Sequence, residues 1–254
     1  MDDDTAAART ALACLDLTSL NDADTEADVE RLCERAQSRF GPVAAVCVWP
    51  RFAALARARL PASIGVAAVA NFPDGGTDIA RAVRDTEAIV DAGAQEVDVV
   101  LPFRALLAGD EPVCVELLDA VRRACPGRVL KVILETGVLH DAVTIREAAD
   151  LALDAGADFL KTSTGKTPVS ATPQAARLLL DAIAAREQVR PGVGFKASGG
   201  IRSVADAARY IELARATFGE VTPRRFRIGA SSLLADIEAV LGGTARASAP
   251  GQGY

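Results

Sequence analysis

Short apolar runs alternate with amphipathic stretches from one end of the chain to the other. The runs Ala11 to Leu17, Val43 to Trp49, Ile64 to Phe72, Glu96 to Leu101, Arg128 to Glu135, Asp158 to Thr162, Val193 to Ala197 and Phe226 to Gly229 have the length of strands. Between them lie stretches with helix start and stop signals. Thr25 caps a helix to about Arg39, with Asp28 three residues on as the capping-box acid. Pro50 can open a helix, where its missing N–H costs nothing. From Asp78 to Asp91 the apolar residues Ile79, Ala82 and Val83 recur at helical spacing, and Gly93 supplies the stop. Further helices are expected over Val113 to Arg123, Thr144 to Asp154, Pro173 to Glu187, Ser203 to Thr217 and Ser231 to Val240. A short helical extension over about 1–10 precedes the first strand. The tail from 242 to 254, rich in Gly, Ala and Ser, reads as disorder.

Eight strand–helix units predict a single-domain (β/α)8 barrel over residues 1–254, with an open doubly wound sheet as the alternative. The barrel is favoured by Asp16, Cys47, Asn71, Asp98, Glu135, Lys161 and Lys196, which fall at the C-terminal ends of strands and would converge on one mouth. One internal similarity supports a repeated unit. Asp91-Ala92-Gly93-Ala94 leads into the strand holding Asp98, and Asp154-Ala155-Gly156-Ala157 leads into the strand holding Lys161, seven places on in both cases.

Composition narrows the chemistry. The chain has 254 residues, half of them hydrophobic, enough for one large core. The opening MDDDTAAART is acidic with no apolar run, unlike a secretory signal, and no stretch holds 18 uninterrupted apolar residues, so no membrane span is expected. A net charge of -6 argues against nucleic acid as the partner. The five cysteines are odd in number and lack CxxC spacing, which suits a reducing cytoplasm. His140 is the single histidine, in a stretch that reads as a surface loop, so a Ser-His-Asp triad or a His-rich metal centre finds little to rest on. Neither a metal nor a cofactor is expected. Gly165-Lys166-Thr167 ends like a P-loop, but Leu160 stands where the earlier glycine is required. Gly192 to Ala197 fits G-x-G-x-x-A at the start of a strand rather than after one.

What remains is a lysine pair. Lys161 ends the sixth strand and Lys196 the seventh, and a buried cation is costly unless something requires it. An ordinary lysine is neutral in roughly one molecule in a few thousand at pH 7. Burial and a neighbouring ammonium lower its pKa and make it nucleophilic. A neutral lysine and a carbonyl give a Schiff base, an electron sink for making or breaking a carbon–carbon bond. Asp98 would be their counter-ion or a general acid/base. The loops Ser198-Gly199-Gly200-Ile201-Arg202 and Gly229-Ala230-Ser231-Ser232, after the seventh and eighth strands, look built for a phosphate, with Thr164-Gly165-Lys166 as a third edge.

At these residues the sequence closely resembles the deoxyribose-phosphate aldolases, class I aldolases. The likeness runs through Leu15-Asp16-Leu17-Thr18, Val46-Cys47-Val48-Trp49-Pro50, Asn71-Phe72-Pro73, Glu96 to Val100, Lys131 to Gly137, Lys161 to Lys166, Phe195 to Gly200 and Gly229 to Leu234. The resemblance implies a TIM barrel that reversibly cleaves 2-deoxy-D-ribose 5-phosphate to D-glyceraldehyde 3-phosphate and acetaldehyde. It implies that Lys161 forms the Schiff base, that Lys196 lowers its pKa, that Asp98 relays protons and that Asp16 organises the network. Gly165, Lys166, Gly199, Gly200, Arg202, Gly229, Ser231 and Ser232 would hold the phosphate. Cys47 matches a position associated with trapping by aldehyde products, and Trp49 stands where the family more often has tyrosine. Tyr254 matches the terminal tyrosine that serves longer members as a proton shuttle. A monomer or homodimer is expected. Two other readings stay open: a Schiff-base aldolase of another phosphosugar, and a non-covalent phosphosugar-binding or isomerising barrel.

Overall fold

Parallel strands cannot be joined by tight turns; each pair needs a crossover, normally a helix packed on the sheet. The computed structural model, which describes residues 3–243, has this arrangement. Strands β1 (Leu15–Thr18), β2 (Ala45–Val48), β3 (Gly65–Ala70), β4 (Glu96–Val100), β5 (Val129–Ile133), β6 (Phe159–Lys161), β7 (Gly194–Ser198) and β8 (Phe226–Ala230) pair in parallel in chain order. The sheet closes where Leu15 meets Ile228 and Asp16 meets Gly229. It is a (β/α)8 barrel, and the doubly wound alternative is excluded by that closure.

Helices α1 (Asp3–Ala13), α2 (Glu26–Arg35), α3 (Ala53–Arg59), α4 (Ile79–Asp91), α5 (Phe103–Leu107), α6 (Glu111–Ala124), α7 (Thr136–Leu139), α8 (Ala142–Asp154), α9 (Pro173–Arg186), α10 (Val204–Phe218) and α11 (Leu233–Leu241) surround it. Thr25 and Asp28 form the expected capping box of α2, and Asp78, Asp141, Thr172 and Ser203 cap α4, α8, α9 and α10. The repeated DAGA segments end α4 and α8 in the same way. Ala94 N–H reaches Ile89 O and Ala157 N–H reaches Ala152 O, with Gly93 and Gly156 at φ 79° and 90°. Only glycine takes that conformation at low cost.

Several boundaries differ from expectation. Ala11 to Ala13 belong to α1, not to a strand, because Ala8, Ala11 and Leu12 recur at helical spacing and bury one face, with α1 lying on α10 and α11. The helix after Thr25 stops at Arg35, and Gln37–Ser38 pair with Gly41–Pro42 in a small antiparallel ladder. The short helices α5 and α7 stand in stretches that read as connections. The last helix starts at Leu233, which leaves Ser231 and Ser232 exposed in the turn before it. Tyr254 and the tail from 244 on lie outside the described residues.

Towards the N-terminal end of the barrel, the Phe159 ring fills the space beside Gly194, where an added Cβ would sit 2.3 Å from a ring carbon. Gly194→Ala should therefore destabilise the fold by about 1–3 kcal/mol through overpacking. A urea midpoint indistinguishable from that of the parent would show that the ring gives way freely.

Candidate active site

Side chains alternate across a strand, so every second residue of a barrel strand points into the lumen. Barrel interiors are ordinarily packed with branched apolar residues. Here the inward positions of six strands carry charge: Asp16 on β1, Glu96 and Asp98 on β4, Lys131 on β5, Lys161 on β6, Lys196 on β7 and Arg227 on β8. All seven side chains are buried, Lys161 with 2% of its surface exposed.

They form one connected network. Lys161 Nζ donates to Asp98 Oδ2 at 2.8 Å. Lys196 Nζ donates to the same oxygen at 2.8 Å and to Asp16 Oδ2 at 2.5 Å. Lys131 Nζ donates to Asp98 Oδ1 at 2.7 Å and lies 2.5 Å from Glu96 Oε2. Arg227 donates to Asp16 Oδ1 at 2.6 Å and to Glu96 Oε1 at 2.8 Å. The sequence pair Lys161 and Lys196 thus meets on one carboxylate oxygen, with Asp16 beside it, as expected.

The balance of charge decides which group is labile. Three carboxylates face four basic side chains, so with the acids ionised and the bases protonated the lumen carries one surplus positive charge. Burial opposes the charge of Asp98, but Lys131, Lys161 and Lys196 outweigh it and hold its carboxyl well below the usual range. Asp16 is held down in the same way against its burial, by Lys196, Arg227 and Lys131. Burial also opposes the charge on Lys196 and Lys131. For Lys196 the attraction of Asp16 and Asp98 wins, for Lys131 that of Asp98 and Glu96, and both hold their protons more tightly than a free lysine. Lys161 differs. Burial lowers its pKa, Asp98 alone among the carboxylates pulls it back, and Lys196 pushes it down further. Its amine has a single carboxylate partner and is the first to lose its proton.

Above this network, at the C-terminal ends of the strands, a cavity of about 260 Å³ opens between loops. All eight residues expected to hold a phosphate line it, together with Thr18 to Asn21 of the loop after β1. Gly199, at φ 85°, lets two loops approach closely: a Cβ there would come within 2.6 Å of the Ser170 side chain. Ser232 leaves the start of α11 without a side-chain cap, so that helix presents free N–H groups at the cavity wall. Lys166 Nζ donates to Leu20 O at 2.7 Å, tying two of the loops together. Glu135, in the left-handed region at φ 57°, accepts from Thr164 Oγ1 at 2.5 Å and from Thr167 Oγ1 at 3.2 Å and anchors the loop after β6. A wider cavity, about 720 Å³, lies at the N-terminal ends of the strands. Its wall is largely apolar, whereas polar groups converge at the mouth on the C-terminal side.

Cys47 is buried with Sγ 4.0 Å from Asp98 Oδ2, and burial together with Asp98 pushes its thiol pKa up, so it stays protonated. Asn71 is spent on architecture: its Nδ2 donates to Gly76 O and Val100 O. His140 is exposed after α7. Lys131, Glu96 and Arg227 were not singled out by the sequence reading, which attended only to strand C-terminal ends. A signal was present: Lys131 stands mid-strand in VLKVI, Arg227 in FRIGA, and Glu96 shares its face with Asp98.

Comparison with known proteins agrees with this geometry. Residues 10–239 match the model of the DeoC/LacD family of aldolases. A provisionally named deoxyribose-phosphate aldolase from Coccidioides immitis is 28% identical with a TM-score of 0.79, over 90% of this chain and 85% of that one. A protein described as QR15, an aldolase, is 30% identical with a TM-score of 0.79, over 95% and 97%. The deoxyribose phosphate aldolase of Aeropyrum pernix, described as tetrameric, is 25% identical with a TM-score of 0.73, over 93% and 96%. With a buried lysine network under a polar mouth, and a family match over most of its length, the chain belongs to the DeoC/LacD family of aldolases.

Proposed function

We propose that this aldolase reversibly cleaves 2-deoxy-D-ribose 5-phosphate to acetaldehyde and D-glyceraldehyde 3-phosphate through a Schiff base on Lys161. One observation carries the reading: the Lys161 amine, the only cation of the lumen whose surroundings favour loss of its proton, shares Asp98 Oδ2 with Lys196. The neutral amine adds to the C1 aldehyde of the open-chain sugar, and loss of water leaves an iminium. The C3 hydroxyl gives up its proton, the C2–C3 bond breaks, and its electron pair enters the iminium to form an enamine. A proton returned to C2 and hydrolysis release acetaldehyde. Asp98 relays protons at the amine, Lys196 keeps the amine uncharged, and Asp16 holds Lys196 in place.

The phosphate is taken by the mouth cavity, where Gly165, Gly199, Gly200 and Gly229 bring backbone close, Ser231 and Ser232 offer hydroxyls, and Lys166 and Arg202 supply charge. Arg202 is exposed at the rim, the place for a group that meets the ligand on entry. A proton-shuttle role for Tyr254 rests on the resemblance alone. Five free, buried cysteines suit a reducing compartment such as the cytoplasm. Among the described residues no helix is long and apolar enough to cross a membrane.

Borohydride added with acetaldehyde should fix a two-carbon label on Lys161, and Lys161→Ala should lower retro-aldol turnover by about three orders of magnitude or more. Label elsewhere, or near-normal turnover, rules out the assignment and leaves the non-covalent phosphosugar barrel. The sign of the pH effect follows from the amine. Only the unprotonated form reacts, so activity rises as pH passes the Lys161 pKa, and that rise should lie below the ordinary lysine value of about 10.4. Lys196→Leu removes the neighbouring cation, raises that pKa and should move the rise to higher pH; an unmoved profile contradicts the coupling. Arg202→Ala should raise KM for 2-deoxyribose 5-phosphate about tenfold and leave cleavage of unphosphorylated 2-deoxyribose unchanged. Equal effects on both substrates would place the phosphate elsewhere.

A further inference from the structure

Two groups of the charged lumen lie away from the mouth. Glu96 and Arg227 both line the wide cavity at the N-terminal ends of the strands, on the far side of the network from the polar loops. No hydrogen bond or ion pair joins either of them to Lys161. They are linked to it through two unbroken routes. Arg227 holds Asp16, which holds Lys196, which shares Asp98 Oδ2 with Lys161. Glu96 holds Lys131, which occupies the other oxygen of Asp98. We propose that Arg227 and Glu96 are positioning residues that set the protonation of the Lys161 amine from the N-terminal end of the barrel, with opposite signs.

The inference rests on the Schiff-base reading and extends it to residues that touch neither substrate nor the reacting amine. Its physical basis is the charge balance. Four basic groups against three carboxylates leave one proton too many for a dry lumen, and Lys161, with one carboxylate partner, gives it up. If Arg227 is made neutral, three lysines face three carboxylates and Lys161 can keep its proton. If Glu96 is made neutral, four basic groups face two carboxylates and Lys161 loses its proton more readily. Charges in a medium of low polarity act over such distances because little water intervenes. The other groups that bear on the Lys161 amine are Asp98 from β4, Lys196 from β7 and the protonated Cys47 from β2. None of these is changed by either substitution. Arg227 suits the task because a guanidinium never deprotonates, so its charge is constant across the working pH range.

The test reads the amine directly. Wild type, Arg227→Met, Glu96→Gln, Arg227→Lys and the double variant Glu96→Gln/Arg227→Met are treated with acetaldehyde and cyanoborohydride across a range of pH. The amine and aldehyde form an iminium with loss of water, and the reagent's hydride reduces it to N-ethyl-lysine. The rate of ethylation of the Lys161 peptide is followed by mass spectrometry. Comparison in the same buffers removes the reagent's own pH dependence, and circular dichroism selects the folded variants. Arg227→Met should move the midpoint up by about one pH unit and Glu96→Gln down by a similar amount. Arg227→Lys should stay near wild type, and the double variant, with three basic groups against two carboxylates, should return to it. A residue that only props the barrel gives no such opposed shifts and no recovery in the double variant. If Arg227→Met does not fold, Glu96→Gln, expected to move the midpoint down, and Arg227→Lys, expected to leave it in place, carry the test. Midpoints that stay fixed or move together, with Lys161 still ethylated, overturn this inference alone. Absence of ethylation at Lys161 in the wild type overturns the Schiff-base reading beneath it.

Discussion

Asp98 accepts three ammonium groups in the buried interior of the barrel, and the network around it is arranged to make that tolerable. A lone buried carboxylate takes up a proton; this one is kept charged by Lys131, Lys161 and Lys196. Each of those cations in turn needs more acid than Asp98 can supply. Asp16 serves Lys196, Glu96 serves Lys131, and Arg227 closes the circuit by binding Asp16 and Glu96 together. Lys161 is left with the smallest share. The ease with which it loses its proton follows from burial and the network's charges together, not from one neighbour.

Long charged side chains need room, and the strands supply it with small residues. A Cβ on Gly229 would lie 3.1 Å from Lys196 Cε and 2.7 Å from Ser198 Oγ. A Cβ on Gly65 would lie 3.2 Å from Glu96 Oε1. The absence of side chains at these points lets the charged groups extend across the lumen and meet. At the mouth the loops are drawn together by Glu135, by Lys166 on Leu20 O and by Thr162 and Ser198. The two parts stay apart by height along the barrel: the charged network below, the cavity proposed to take the phosphate above.

How much of this the sequence revealed follows from where each signal is local. Alternating strands and helices, the caps at Thr25 and Asp78 and the DAGA stops are written within a few residues, and they were legible. So were Lys161, Lys196, Asp98 and Asp16, because a charge within a short apolar run stands out, although only Lys161 ends its strand and Asp98 and Lys196 stand mid-strand. Lys131 carries the same kind of charge at the same mid-strand place as Asp98, and Glu96 and Arg227 carry it first and second in their strands, but their meaning depends on partners as much as 211 positions away, as for Arg227 and Asp16. The strand boundaries shifted for a related reason. Leu12 reads equally well in a strand or a helix, and packing on α10 and α11 chose the helix.

A network of this kind is a poor way to hold a barrel together. Burying seven charged groups costs desolvation that well-packed apolar residues avoid, and replacement of buried ion pairs by such residues is often neutral or stabilising. Removing one partner and leaving the rest is the damaging change, at about 3–5 kcal/mol. The lumen therefore holds its charges at the expense of stability, and the gain must lie in what an apolar lumen cannot do. An amine that gives up its proton more readily than its neighbours while held beside a carboxylate is such a gain, and a surplus of basic groups over carboxylates favours it.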